Sequence, residues 1–442
     1  MKNLKNIFTL FILVLIASCS KDSDETSTPD ESTETLTPIT SVLSVTNINP
    51  AKGTKNTSVT ITGTGFSTTT TNNTVTINGK TCPVVNSTST QLVITIPPKA
   101  GSGKIKVGVA AANVESNDFE FLESIIVTTI AGSTRGFADG QGANAQFSFL
   151  QGIILDGQGN LLVADDDRIR KVSLTNGAVT TIAGSTFGGF ANGQGILADF
   201  SGVNDIAKNA AGTMFVTDDF NNKVRAISSS GLVSTFAGST SGFLDGNLAS
   251  AKFSGLAGIV IDGSGNIFIA DRGNHRIRKI SGNNVTTFAG SGTLGSTNGQ
   301  GVNASFALPK GLTIDSAGNL FVTDGIGKRI RKITPTGLVS TIAGSSTQGF
   351  LDGQGVAARF NLASGITIDS QNNLFVADEI KIRKISPTGL VTTIAGTGAA
   401  GFVDGNAITT QFSGLQGIAI DAQGNLYVTD AGNNKIRKIT FD

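Results

Sequence analysis

Residues 417–439 read GIAIDAQGNLYVTDAGNNKIRKI: a short apolar run, a Gly-Asn turn, a second apolar run that ends at Asp430, and an alternating basic run. An aspartate preceded by Ala or Thr recurs at the place of Asp430 in six segments, at positions 165, 218, 271, 324, 378 and 430. A period near 50 residues, filled with β-branched residues and glycine turns, is typical of a β-propeller with four strands per blade. We therefore predict an all-β chain in which residues 124–442 form six blades.

The two ends of this repeat region indicate how the circle closes. The chain finishes on IRKI at 436–439, which is the third strand of a blade with no fourth strand after it. The run IVTTI at 126–130 has the pattern of a fourth strand and stands before the first complete blade. We expect this N-terminal strand to complete the last blade, so that no sheet edge is left exposed. Deleting it should destabilise the whole ring.

Composition excludes several classes of protein. Lys plus Arg (33) and Asp plus Glu (32) give a net charge of +1, so the strong positive field of many nucleic-acid-binding proteins is missing and we predict no nucleic-acid partner. A single histidine and two cysteines exclude a His-rich zinc site, zinc fingers and a disulfide framework. No Ser-His-Asp arrangement is indicated, because the one histidine stands among turn residues.

The N-terminus carries targeting signals. Lys2 and Lys5 precede an apolar run at 7–16 that is too short to span a membrane, and Ile16-Ala17-Ser18-Cys19 resembles a bacterial lipobox. This resemblance implies that residues 1–18 are a lipoprotein signal peptide and that Cys19 is lipidated; an ordinary secretory signal with a chance cysteine is the alternative.

Residues 19–40 consist of Ser, Thr, Asp, Glu and Pro with few apolar residues, a composition that predicts a disordered acidic tether. The acidic cluster after Cys19 resembles the export signal of surface-displayed lipoproteins in Bacteroidetes. It implies an outer-membrane lipoprotein that faces the cell exterior, with the membrane as partner through Cys19.

Residues 41–123 show short alternating strands separated by turns, among them the hairpin signal Asn78-Gly79, and predict an immunoglobulin-like β-sandwich. The segment resembles the IPT/TIG family in Asn49-Pro50, VTITGTGF at 59–66, NTVTINGK at 73–80, LVITIPP at 92–98 and Phe119. Such domains are spacers or interaction modules. We interpret Cys82 as a small core residue.

The six repeats resemble the NHL family, whose unit reads G-I-x-x-D, G-N-L-x-V-A-D and R-I-R-K-I. Residues 417–421, 424–430 and 435–439 match it well, and five further copies precede them. The resemblance implies a propeller. It does not imply one function, because NHL propellers include protein binders, RNA binders and lyases.

Several repeated residues are best explained by the scaffold. We expect the aspartate that ends each second strand to cap the following turn or to pair with the Arg that starts the third strand. The Asp or Asn of the G-F-x-D-G motifs (139, 192, 245, 298, 352 and 404) is interpreted as a turn former, with a ring of calcium ligands as the alternative. We expect one phenylalanine per blade to wedge between blades: Phe147, Phe200, Phe253, Phe306, Phe360 and Phe412.

A ligand that lacks six-fold symmetry should bind where the blades differ. The turns between second and third strands and the long connections between blades share one face, and the departures from the repeat cluster there. They give the candidate ligand-binding residues Asp166, Asp167, Phe187, Asn204, Asp205, Asp219, Phe220 and His275. Charge reversal at Asp166, Asp167 and Asp219 should weaken binding. We interpret His275 as a solvent-exposed turn residue with no catalytic role.

These observations favour a non-enzymatic, monomeric, lipid-anchored surface protein that uses the propeller face to bind a protein or glycan. One alternative is a glycan-binding lipoprotein of a polysaccharide uptake system, although the chain has no Trp and one Tyr for sugar platforms. The other is a metal-dependent propeller lyase or lactonase. No catalytic, cofactor or metal residue is predicted, and calcium remains an open alternative as cofactor.

Overall fold

The computed structural model describes residues 41–441. The predicted signal peptide, the predicted lipidation site Cys19 and the predicted tether lie outside the described residues. Within the described range, no helix is long and apolar enough to cross a membrane.

The N-terminal part is a two-sheet sandwich, as predicted. One sheet contains four strands in the spatial order Ser44–Asn49, Ser58–Thr64, Gln91–Thr95 and Val84–Ser87. The other contains Lys52–Gly53, Ala112–Phe121, Gly103–Val109, Asn73–Ile77 and Lys80–Thr81, and a 3-10 turn spans Thr70–Asn72. Cys82 is buried in the core between the sheets, which confirms its interpretation, and burial raises the pKa of its thiol to about 11.

The rest of the described chain forms six five-stranded sheets. The first strands of the blades, which are innermost, are Leu150–Leu155, Val203–Lys208, Leu256–Ile261, Pro309–Ile314, Ala363–Ile368 and Leu415–Ile420. The second strands are Asn160–Asp165, Met214–Asp218, Ile267–Asp271, Leu320–Asp324, Leu374–Asp378 and Leu426–Asp430. The third strands are Arg168–Ser173, Lys223–Ile227, Arg276–Ser281, Arg329–Ile333, Lys381–Ile385 and Lys435–Phe441. The fourth strands are Ala178–Ala183, Leu232–Ala237, Asn284–Ala289, Leu338–Gly344, Leu390–Ala395 and, for the sixth blade, Ile125–Ala131.

Each blade also has a fifth strand of two residues, which the four-strand prediction missed. These outermost strands are Gly140–Gln141, Gly193–Gln194, Gly246–Asn247, Gly299–Gln300, Gly353–Gln354 and Gly405–Asn406. They lie in the connections between blades, where 3-10 turns follow four of them at Gly142–Asn144, Gly195–Leu197, Gly301–Asn303 and Gly355–Ala357. Two further 3-10 turns, Arg272–Asn274 and Ala431–Asn433, lie between the second and third strands of blades three and six. A segment of two residues is too short to show an alternating pattern, so the sequence does not predict this strand. It forms because the fourth strand has a free edge with which it can pair.

The ring closes as the sequence predicts. Ile125–Ala131 pairs antiparallel with Lys435–Phe441, with Val127 opposite Ile439 and Thr128 opposite Lys438. Each first strand contacts the first strands of both neighbouring blades, and the first strand of blade one contacts that of blade six. The six predicted phenylalanine wedges are all fully buried, which confirms their role in the cores between blades.

Hydroxyl groups link the blades in an alternating pattern. The residue before the repeated aspartate is Thr217, Thr323 or Thr429 in blades two, four and six, and alanine in the others. Thr323 Oγ1 accepts from Gly311 N (2.7 Å) and donates to Ser364 O of the next blade (2.6 Å). The hydroxyl therefore satisfies two buried backbone groups on two different blades.

Thr323→Val should lower the free energy of unfolding by about 1–3 kcal/mol, since it leaves the buried Gly311 amide and one lone pair of the Ser364 carbonyl without this partner. Urea unfolding of the purified protein measures the change. Thr293→Val, at an exposed threonine, is the matched control and should change stability by less than about 0.5 kcal/mol.

Candidate functional site

The repeated aspartates form buried ion pairs, but not with the predicted arginine. Asp165 contacts Arg170 Nη1 through Oδ2 (2.7 Å), and both side chains are fully buried. Arg170 is the third residue of its strand, whereas the arginine that starts the strand is Arg168. All six blades have this pair at 2.5–2.9 Å. Side chains alternate across a strand, so the third residue lies on the same side as the first. The third residue is fully buried in all six blades, whereas the first is half-buried in five blades and 5% exposed, as Arg168, in blade one.

The Asp and Asn side chains of the G-F-x-D-G motifs hold the connections onto the blades. Asp139 accepts from Arg170 Nη2 (2.8 Å) and from the backbone N of Thr181 on the fourth strand (2.9 Å). The preceding aromatic, for example Phe137, lies under the guanidinium of Arg168, 3.9 Å from its ring centroid. These contacts give the repeated charged residues a scaffold role, and a ligand site must use residues that are not repeated.

The first strands enclose a central channel with a cavity of about 390 Å³. The second residue of five of the six first strands lines it near the face that carries the turns between second and third strands, which we call the mouth face. These five residues are polar and form what we call the polar ring: Gln151, Asn204, Lys310, Ser364 and Gln416. The equivalent residue of blade three, Ala257, is fully buried in a hydrophobic core instead. Unlike the scaffold residues, they differ from blade to blade.

Asp205 occupies a position that is glycine in the other five blades. A Cβ atom at Gly258, Gly311 or Gly365 would come within 2.3–2.5 Å of a backbone oxygen of the next blade, so these strands pack too closely for a side chain. At the junction of blades two and three a side chain is present, and Asp205 Oδ2 accepts from Ile259 N (3.0 Å). Burial raises the pKa of Asp205 to about 7, against the opposing effect of this hydrogen bond and one from Ile206 N.

Lys310 extends across the channel wall to the two following blades. Its Nζ donates to Ser364 Oγ (3.0 Å) and to Gln416 Oε1. Burial, together with the positive charge of Arg272, lowers the pKa of this ammonium group to about 8. No carboxylate of residues 41–441 lies within ion-pair distance of it.

Asp219 and Arg272 form an ion pair in the turns above the channel, on blades two and three (3.3 Å). Burial raises the pKa of Asp219, while Arg272 and the amide of Asn204 act in the opposite direction. The structure thus brings together three of the predicted site residues, Asn204, Asp205 and Asp219, at one side of the channel.

The other predicted residues lie farther out on the mouth face. Phe187 and Phe220 are 82% and 75% exposed, Asp166 takes a left-handed conformation in its turn, and Asp167 accepts from Gly202 N (2.7 Å). The interpretation of His275 as solvent-exposed is wrong. His275 is half-buried, and its Nδ1 accepts from Leu308 N (3.3 Å), just as Asn222 Oδ1 accepts from Gly255 N one blade earlier. It holds the next blade in place.

Comparison with known proteins identifies the parts of the chain. Residues 43–121 match the IPT/TIG domain, and residues 253–280 and 412–439 match the NHL repeat. The chain carries an IPT/TIG domain and NHL repeats. Among curated proteins, the bovine NHL repeat-containing protein 2 is 34% identical over 173 residues, which cover 35% of this chain and 24% of that protein. The chain spans about a quarter or less of the length of the curated relatives it matches.

Two solved structures share the fold over both parts of the chain. A Bacteroides thetaiotaomicron protein of unknown function has a TM-score of 0.61 at 21% identity, covering 90% of this chain and 98% of its own. An auxiliary nutrient binding protein from the same organism has a TM-score of 0.58 at 18% identity, covering 90% and 97%. At these identities the likeness establishes the fold.

Sequence reasoning missed most of the channel. Lys310, Gln151, Gln416 and Arg272 are not among the predicted residues, because their approach to one channel depends on how the blades pack against one another. A signal was present. When the six first strands are aligned, the second column reads Q, N, A, K, S, Q beside columns that are almost uniformly apolar or glycine.

Asp205→Asn should stabilise the protein in a pH-dependent way. The fold keeps the Asp205 carboxyl protonated up to about pH 7, whereas an unfolded chain ionises it near its ordinary value of 3.8. The wild type therefore loses stability as the pH rises from about 4 to 7, whereas the Asp205→Asn variant has no carboxyl group to ionise at this position and does not lose it. We expect a difference in the free energy of unfolding of less than about 1 kcal/mol at pH 4 and a gain of about 4 kcal/mol at pH 8 for the variant.

Urea unfolding at both pH values measures this effect. Asp156→Asn is the control: burial tends to raise the pKa of Asp156, but hydrogen bonds from Asn160 and Gln158 outweigh it and lower the pKa. That variant should lose stability above pH 4. A pH-independent difference at Asp205 would contradict the assigned environment.

Proposed function

We propose that this chain is a non-enzymatic binding protein, anchored to the outer membrane through lipidated Cys19 and displayed at the cell exterior, which holds its ligand at the mouth face of the propeller. The polar ring carries this proposal. Scaffold positions repeat from blade to blade, while the channel wall at the mouth face presents five polar side chains of four kinds together with Asp205. A site built from the non-repeated residues of a repeat protein is suited to an asymmetric ligand.

A role in nutrient capture is the form of this proposal that we favour. It is supported by the name of the Bacteroides neighbour, an auxiliary nutrient binding protein with the same two-part fold, and by the export signal that residues after Cys19 resemble. The lone tyrosine offers no sugar platform, since Tyr427 is buried and donates to Asp421 Oδ2 (2.9 Å). A glycan would therefore be held through hydrogen bonds at the channel rather than by stacking on Tyr or Trp.

The metal-dependent lyase or lactonase is the weaker candidate. Among residues 41–441, no three His, Cys, Asp or Glu side chains lie close enough together to hold a metal ion. The ionisable residues lining the channel are Asp205, Lys208 and Lys310, and a donor set with one carboxylate and two lysines suits an anion better than a cation.

Thermal unfolding against a panel of polysaccharides and oligosaccharides tests the proposal, because a ligand of the native state raises the unfolding midpoint. Arms with calcium and with EDTA test the calcium alternative. For any neutral sugar that shifts the midpoint, Asp166→Lys should weaken binding about threefold or more, since it removes a carboxylate acceptor from the rim without removing a described side-chain hydrogen bond of the protein.

The matched control adds the same two units of positive charge on the opposite face. Gln158→Lys combined with Ser264→Lys changes two exposed residues in the turns between first and second strands. We expect this double variant to bind like the wild type. Equal binding by all three proteins would contradict recognition at the mouth face, and a midpoint that responds to no sugar would favour a protein partner instead.

A further inference from the structure

We propose that the central channel binds a small hydroxylated carboxylate, a sugar acid, with the ammonium group of Lys310 holding the carboxylate. The inference rests on the proposed binding function and names the class of ligand.

The first observation is an unbalanced charge. Of the two lysines that line the channel, Lys208 donates to the backbone oxygen of Asp156 at the far end of the first strand (2.8 Å). Lys310 has two neutral acceptors and, within the described chain, no carboxylate at ion-pair distance. An ammonium group has three donors, so one remains for a ligand. Desolvating a cation without a counter-ion is costly, and a bound anion offsets this cost.

The second observation is the mixture of donors and acceptors around Lys310. Gln151, Asn204 and Gln416 carry amide groups that both donate and accept, and Asp205 lies beside Asn204. A simple anion would use the donors alone. A ligand with hydroxyl groups as well as a carboxylate can use the amides and the Asp205 carboxyl together, and a cavity of about 390 Å³ is in the range of small-molecule sites.

The third observation is that the recognition groups are fixed before a ligand arrives. Lys310 is on blade four and is held by Ser364 of blade five and Gln416 of blade six. Asp205 is on blade two and is held by the Ile259 amide of blade three. These side chains belong to strands rather than to loops, so little conformational entropy is lost when a ligand is bound.

Isothermal titration of the purified chain with D-glucuronate and D-galacturonate tests this inference, with D-glucose and D-galactose as neutral counterparts. We expect the acids to bind at least about tenfold more tightly than the neutral sugars. Lys310→Met should abolish this preference, whereas Lys208→Met, which removes the other channel lysine, should leave it unchanged. Lys310→Met removes a buried charge without a counter-ion and should fold at least as stably as the wild type.

Two further ligands test the parts of this assignment: glucose 6-phosphate tests whether the site prefers a carboxylate to a phosphate, and acetate tests whether the hydroxyl groups are needed. Binding of glucose 6-phosphate as tight as that of glucuronate would overturn the assignment to a carboxylate, and binding of acetate as tight as glucuronate would overturn the role of the hydroxyl groups. If the acids bind no better than neutral sugars, or if Lys310→Met leaves their binding intact, the inference fails. The proposed function fails separately, when Asp166→Lys leaves the response to every neutral sugar unchanged.

Discussion

A chain that lacks residues 125–131 is expected to lose the cooperative unfolding of its propeller. The deleted strand pairs with residues 436–441 of the third strand and buries Val127 in the core of the sixth blade. Its carbonyl at Ile125 also accepts from Ala407 N (2.8 Å), which holds the connection between blades five and six. Without it, the third strand of the last blade becomes an exposed edge. Because a domain has only about 5–15 kcal/mol of stability, losing one of four main strands from a blade is sufficient to open the ring.

Calorimetry and urea titration measure this loss. The control is a chain that begins at residue 124, which lacks the sandwich but keeps the closing strand, and we expect its propeller to retain a single sharp transition. Should the chain without residues 125–131 unfold as cooperatively as this control, the closing strand would not be what holds the circle together.

The second large effect is expected from the buried ion pairs. Arg331→Leu leaves Asp324 fully buried without its cation, and it also removes donors to Ser305 O (3.0 Å) and Thr297 O (3.0 Å). Breaking one partner of a buried pair costs about 3–5 kcal/mol, which is several times the value of an exposed pair.

Urea unfolding of two further variants isolates the free-energy cost of the unpaired Asp324 carboxylate. The double variant Arg331→Leu with Asp324→Asn removes the uncompensated carboxylate and should recover part of the loss. Lys332→Ala, at the neighbouring half-buried position, should cost less than about 1 kcal/mol. A loss for Arg331→Leu no larger than that of Lys332→Ala would contradict the scaffold role of the pair.

The candidate site shows where sequence reasoning was sufficient and where it was not. The rule that a site should use non-repeated residues found Asn204, Asp205 and Asp219, because each breaks the pattern of its blade in the sequence itself. It missed Lys310 and Gln416, since two residues 106 positions apart become partners only when the sheets stand side by side around the channel. It misread His275, whose burial depends on the start of the next blade rather than on its own turn.

The sequence by itself determined the number of blades, the order of the parts and the closing strand, because these depend on period, strand alternation and turn chemistry, all of which are local. It also placed the phenylalanine wedges and Cys82 in cores. Only the tertiary structure decided which arginine pairs with each aspartate, how the short fifth strands form, and that Asp205 and Lys310 line one channel. Those features depend on distances between residues of different blades, which are far apart in the sequence. The burial that shifts the pKa values of Asp205 and Lys310 arises only when the six inner strands enclose the channel.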